Sequence, residues 1–150
     1  MTPIIPDKAI VLLEKELTSV MIGGFYEVYN GLGYGFLETN YRNALALEYQ
    51  ARGLSVAREV GIAVRYKGHV VGRYRADMIV EGKVLVEVKC SAALSPPDHK
   101  QVANYLRATG VPIALLFHFG PKPEFHRSIL SNTQQSPSKS AAPESSESSE

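Results

Sequence analysis

Residues 74–89 read YRADMIVEGKVLVEVK, two Val- and Ile-rich runs joined by Glu81-Gly82-Lys83. Two apolar runs around a Gly-centred break predict a β-hairpin. Asp77 and Glu87 lie five residues either side of Gly82. A three-residue turn therefore pairs them directly, with side chains about 5 Å apart. The same register sets Met78 against Val86 and Val80 against Val84, giving one consistent apolar face. A two-residue turn would throw Asp77 onto that face, so the three-residue turn is the expectation. Glu87 and Lys89 are two apart on a strand and share a side of the sheet.

Two carboxylates pressed together beside a Lys, within apolar strands, are costly unless something neutralises them. A hard divalent cation does so, and Mg²⁺ or Mn²⁺ suits a site of one or two carboxylates completed by water and phosphate oxygens. Such an ion lowers the pKa of a bound water and stabilises charge developing on a phosphate. Lys89 would orient or deprotonate the water, or hold the phosphate as a point charge. The plainer alternative is an Asp–Lys–Glu ion-pair cluster on a solvated sheet face, since short motifs recur by chance. The hairpin register and a basic stretch just upstream favour the chemical reading. That stretch holds Arg58, Arg65, Lys67, Arg73 and Arg75 against the single acid Glu59.

Outward from the hairpin, helical spacing of Ile10, Leu13, Leu17, Val20, Met21, Phe25 and Val28 predicts a helix from about Asp7 to Asn30. Gly23 and Gly24 weaken it unless another element packs closely there. A second helix is expected from about Phe36 to Arg52, with Leu37, Tyr41, Ala44, Leu45 and Leu47 on its apolar stripe. Residues 56–66, 70–80 and 83–89 then read as three antiparallel strands. Ser95-Pro96-Pro97-Asp98 is a helix start: a cap, a Pro at the first position and an acid three residues on. That helix should end at Gly110, before a fourth strand over about Ile113–Phe119. The order ααβββαβ implies an α/β fold, an α+β sandwich with a mixed central sheet flanked by helices.

On the third helix, Gln101 and Tyr105 are four apart and share a face. Gln101 could bind a metal-bound water or a phosphate. Tyr105 could position DNA or pack beneath the site. Glu38 lies in line with Tyr41 and Leu45, a partly buried stripe where a carboxylate is unusual, and is a candidate third acidic ligand. Glu48 is a weaker candidate, read as a surface residue.

The chain has 150 residues, enough for one domain, and 45% of them are hydrophobic. Its net charge is +1 overall. Beyond residue 130, Lys139 stands against Glu144, Glu147 and Glu150, so that segment is −2 and the first 130 residues are +3. Residues 131–150, rich in Ser and Glu, are expected to be a disordered tail because they offer too little apolar burial to offset their ordering entropy. One cysteine, Cys90, excludes an internal disulfide, and no apolar run approaches a membrane span. A cytoplasmic protein with no membrane partner is the expectation.

The run Gly35-Phe36-Leu37-Glu38-Thr39-Asn40-Tyr41 resembles the signature of the GxxExxY proteins, grouped with the PD-(D/E)XK nuclease superfamily. Supporting segments are Ile22-Gly23 through Glu27-Val28, Arg65-Tyr66-Lys67-Gly68, Tyr74-Arg75-Ala76-Asp77, Val86-Glu87-Val88-Lys89, Gln101 through Leu106, and Phe119-Gly120. The resemblance spans about residues 14–128. It implies a restriction-endonuclease-like core with an acid on the helix before the sheet, the Asp and ExK on adjacent strands, and a QxxxY helix similar to the RecB-type signature. Carried over, Glu38, Asp77, Glu87, Lys89, Gln101 and Tyr105 form the site. Tyr29 and Tyr34 stand where the family often has His and Pro, which counts against a catalytic role for the first helix.

The leading expectation is thus a Mg²⁺- or Mn²⁺-dependent nuclease acting on DNA in repair, recombination or defence. Glu38, Asp77 and Glu87 would ligate the metal, Lys89 would assist the water and Gln101 would orient it. Arg65, Lys67, Arg73, Arg75 and Arg107 would hold backbone phosphates, with Tyr105 against the nucleic acid. The alternatives are a catalytically inactive nucleic-acid-binding module and an interaction subunit acting through its tail. A domain this small has no separate recognition module, so specificity is expected from a homodimer or a protein partner.

Overall fold

The computed structural model describes residues 7–130, with side chains from residue 14 onward. The expected stripe residues Ile10 and Leu13, and the expected disordered tail, lie outside the described side chains. Three helices and five strands follow one another as α1 (Asp7–Leu32), α2 (Glu38–Ala51), β1 (Val56–Tyr66), β2 (His69–Val80), β3 (Val84–Lys89), α3 (Pro96–Thr109), β4 (Ile113–Phe119) and β5 (Pro123–Ile129). The strands form one sheet in the order β1-β2-β3-β4-β5. All neighbours are antiparallel except β3 and β4, which α3 joins as a parallel crossover.

The second hairpin has Met78 facing Val86 and Val80 facing Val84 as expected, but the expected direct pair of Asp77 with Glu87 is absent, because the ladder stops at Met78–Val86. Lys83 N–H donates to Val80 O at 3.0 Å, with Glu81 and Gly82 both in the left-handed region (φ 56° and 67°). Gly82 adopts that conformation freely; Glu81 does so at a cost of about 1 kcal/mol. The fifth strand corrects the expected count of four. Pro121 just before it, Pro123 at its first position and its polar composition mask it, and these suit the edge position it occupies.

β3 and β4 form the buried centre of the sheet, as befits strands covered on both faces. On one face, α1 and α2 pack Met21, Phe25, Val28, Tyr41, Leu45 and Tyr49 against Met78, Val80, Val86, Phe117 and Phe119. Phe25 stacks on Phe117 at 4.5 Å and Tyr41 on Phe119 at 4.2 Å, contacts worth about 0.5–1.5 kcal/mol each beyond their burial. On the other face, α3 packs Val102, Tyr105 and Leu106 against Ile62, Ala76, Leu85 and Leu116. Tyr49 accounts for a glycine inside α1. A Cβ on Gly24 would lie 2.8 Å from the Tyr49 ring, whose hydroxyl donates to Met21 O at 2.8 Å.

Two positions differ from the expected stripe of α2. Leu37 caps the helix rather than lining it and is 73% exposed, and Leu47 is 69% exposed. The helix starts at Glu38, two residues later than expected, because the Tyr41 hydroxyl accepts from Phe36 N–H and donates to Gly33 O, holding 33–37 as a loop. Tyr29 is structural: its hydroxyl donates to Gly120 O at 2.7 Å. No described helix is long and apolar enough to cross a membrane.

Candidate active site

β2 has two partners, and it leaves one of them at Asp77. Its pairing with β3 covers only Met78–Val80, whereas its pairing with β1 runs on to the His69–Tyr66 turn. β3 meanwhile continues beside β4 as far as Lys89. The sheet therefore forks, and the acid pair sits in the fork. Carboxylates replace the missing ladder bonds. Asp77 N–H donates to Glu87 Oε2 at 3.0 Å, and Val88 N–H donates to Asp77 Oδ2 at 2.7 Å. Each acid is thus pinned by the backbone of the other's strand, and charge-assisted bonds of this kind are short and strong.

The chain is bent at this point. Ala76 packs in the α3-side core and Met78, two residues on, in the α1/α2-side core, so the strand's usual alternation breaks at Asp77. Across on β1, Glu59 takes φ 51° between the Arg58–Met78 and Val60–Ala76 pairs. Such a conformation in a non-glycine residue is strained and persists only where its surroundings enforce it.

The electrostatics of the pair are unfavourable as it stands. Burial, and then the Asp77 charge, push Glu87 up to about 8 despite the N–H from Asp77 and the nearby Lys89. Burial also raises Asp77, against the bond from Val88 and the charge of Arg42. Lys89 lies on the same strand face as Glu87, with Nζ 4.0 Å from Asp98 Oδ1. Asp98 is fixed at the start of α3, where its Oδ2 accepts from Ser95 N–H at 2.9 Å and from the Ser95 hydroxyl at 3.2 Å.

The other expected residues fall at graded distances. Glu38 bonds Arg42 at 3.2 Å, its side chain 39% exposed. Its charge reaches both acids, yet among the described residues no three Asp, Glu, His or Cys side chains converge on a metal position. The structure brings Asp77 and Glu87 together and holds Glu38 aside on Arg42. Gln101 Oε1 is buried and has no hydrogen-bond partner among the described residues. Tyr105, one turn later, is 7% exposed within the α3-side core, which places it beneath the site rather than at its surface. Burial and the Glu87 charge raise its hydroxyl's pKa. Arg65, Lys67, Arg73 and Arg75 are all exposed on the β1–β2 hairpin, Arg75 paired with Glu59 at 3.1 Å. Arg107 is exposed on α3 and donates to Asn104. Glu48 is bound to Arg52 at 2.7 Å on the far end of α2.

Two participants escaped the sequence reading. Arg42 approaches Asp77 Oδ1 at 3.7 Å while bonding Glu38, and its signal was the four-residue spacing from Glu38. His118, beside Lys89 across the β3–β4 pair, is 3% exposed, with Nε2 2.7 Å from Ser91 O. It thereby ties down the chain just after Lys89; a lone His in an apolar strand gives no sequence sign of this.

Residues 15–128 match the sequence model of the PD-(D/E)XK nuclease superfamily. No curated protein matches the chain. Among solved structures, the chain is similar to SSO0001 at 19% identity, over 85% of this chain and 67% of that one, with a TM-score of 0.48. It is also similar to an alkaline exonuclease, LHK-Exo, from Laribacter hongkongensis, at 14% identity over 84% of this chain and 75% of that one, TM-score 0.46. LHK-Exo in complex with dAMP matches at 15% identity, covering 76% and 80%, TM-score 0.43.

Proposed function

The chain belongs to the PD-(D/E)XK nuclease superfamily, and from that premise we propose that it is a Mg²⁺- or Mn²⁺-dependent nuclease hydrolysing DNA phosphodiester bonds, a member of the GxxExxY group within it. The observation that carries this is the acid pair in the fork: buried Glu87 and half-buried Asp77, cross-bonded to each other's strands, both with proton affinities raised first by burial and Glu87's also by the Asp77 charge. Cross-strand bonding holds them as a preformed site in which a divalent cation would take the place of the proton that Glu87 otherwise keeps at neutral pH.

The donor set fits a hard divalent ion. Asp77 and Glu87 would hold it as the two carboxylates that Mg²⁺ ordinarily takes, with the orphaned Gln101 Oε1 available to it or to a water on it. When bound, the ion would supply an acidified water and neutralise charge on the phosphate. The chain's own groups do the remainder. Lys89, two residues from Glu87 on the same strand and with Nζ 4.0 Å from Asp98 Oδ1, would orient the attacking water and take its proton or hold the phosphate oxygen. Arg42 would keep Asp77 ionised, and Glu38, by binding Arg42, would set where that guanidinium sits. Tyr105 supports the floor of the site. Arg65, Lys67, Arg73, Arg75 and Arg107 would draw the phosphate backbone in. The processes such an activity would serve are repair, recombination or defence.

The test is a cleavage assay on single- and double-stranded DNA with Mg²⁺ or Mn²⁺. Cleavage should stop with chelator and fall about 10²–10⁴-fold in Lys89→Ala. Equal cleavage by the two proteins removes Lys89 from the mechanism, and no product at long incubation removes the nuclease reading.

A further inference from the structure

The geometry points to the β1–β2 hairpin as a two-stranded arm that enters the major groove of duplex DNA and leads the bound strand to Asp77. This rests on the nuclease reading of the fork and adds to it a substrate class, double-stranded DNA, and an element that reads it.

The arm begins where β2 leaves β3. From Ala76 to the turn at Lys67–Gly68, β2 pairs only with β1. Its eight residues, His69–Ala76, extend about 25 Å at roughly 3.3 Å each. The pairing sorts the side chains onto two faces. Ile62 with Tyr74, Val64 with Gly72 and Tyr66 with His69 share one. That face is seated at its base, because Ile62 is buried in the α3-side core and Tyr74 meets Tyr105 with ring centroids 5.9 Å apart. The opposite face carries Arg75 across from Gly61, Arg73 across from Ala63, and then Arg65. All three arginines are exposed, and Gly61 and Ala63, across from Arg75 and Arg73, are too small to cover them, while Arg65 pairs with Val70. Among the described residues Arg65 and Arg73 form no ion pair, while Arg75 is shared with Glu59. Along β2, Arg75 and Arg73 lie two and four residues before Asp77, so the arginine row ends in the chain beside the bend that carries the acid pair.

A row of cations ending at a pair of anions has one obvious partner, a phosphate backbone whose scissile position meets the anions. The shape of the arm selects the form of nucleic acid. The major groove of B-DNA, about 12 Å wide, admits a two-stranded β-ribbon, whereas the A-form RNA groove is too deep and narrow for side chains to read. Single strands offer no groove and are gripped by stacking on open aromatic platforms; the Tyr74 ring faces Tyr105 instead of lying on the arginine row. The bulge that sets Val71 outside the pairing and the Tyr66, Lys67 and His69 tip give the arm its contact end.

The test compares the full chain with Arg65→Ala/Arg73→Ala in chelator, by anisotropy of a labelled 20-base-pair DNA duplex, the same DNA as a single strand, and an RNA duplex, across a salt series. The wild-type chain should bind the DNA duplex at least about tenfold more tightly than the other two. The double variant should lose about tenfold or more on the duplex and about two units of salt-dependence slope. Unchanged binding or slope in the variant, or equal wild-type affinity for single strand or RNA duplex, overturns the arm. Parallel Mg²⁺ cleavage separates the two readings. Duplex-selective, arginine-dependent binding without cleavage supports the arm and removes the nuclease; cleavage with variant-independent binding does the reverse.

Discussion

Glu87 is held where a carboxylate is least comfortable, and the pH dependence of the protein should show it. Its folded pKa of about 8 lies above its ordinary 4.5, and Asp77 shifts in the same direction. Between those two pH values the folded chain keeps a proton that the unfolded chain releases, so stability falls as pH rises through this window. Glu87→Gln removes the cost. In chelator it should raise the unfolding free energy at pH 8 by on the order of 2 kcal/mol, seen as a higher melting temperature, and have little effect at pH 4.5. An equal effect at both pH values would mean that Glu87 is not held against its charge. A divalent ion should act like the substitution in wild type, adding roughly 2.7 kcal/mol at a hundred times its Kd, and add nothing to Glu87→Gln. At this scale the sequence showed the acids through hairpin arithmetic alone. It hid Arg42, whose approach to Asp77 depends on how α2 docks, and Glu38's stripe position does not reveal its bond to Arg42.

The elements carry a different kind of information, and glycines in α1 separate two of its roles. Gly24→Ala drives a Cβ to within 2.8 Å of the Tyr49 ring, a buried group that cannot give way; urea unfolding should show a loss of about 1–3 kcal/mol. Gly23→Ala meets only the end of the Arg52 side chain at 3.4 Å and should gain about 0.5–1 kcal/mol from reduced backbone entropy. The same sign for both would refute Tyr49 as the reason for Gly24. Periodicity made α3 and the paired strands legible because capping residues and Gly-centred turns act locally. It failed for β5, where two prolines and alternating polar residues suit an edge that only the sheet defines. Leu37 and Leu47 looked like core for the same reason: their outward direction is fixed by the docking of α2, not by their spacing.

At the scale of the whole molecule, the fork ties fold to function. The sheet must split for the Glu87 carboxylate to accept from Asp77 N–H and the Asp77 carboxylate from Val88 N–H, and the split leaves a basic arm beside them. The described fold closes at Leu130, which is buried and whose N–H donates to Pro112 O at 2.8 Å. A chain ending there should therefore melt and cleave as the full one does, as paired thermal scans and cleavage assays would show; a lower melting temperature would extend the domain beyond residue 130. The central claim, that the fork is a metal site, is tested most directly by titrating Mg²⁺ or Mn²⁺ into wild type and Asp77→Ala by calorimetry. The wild-type chain should bind the ion and the variant should not. An absence of binding in wild type, or the same binding in both, would contradict it.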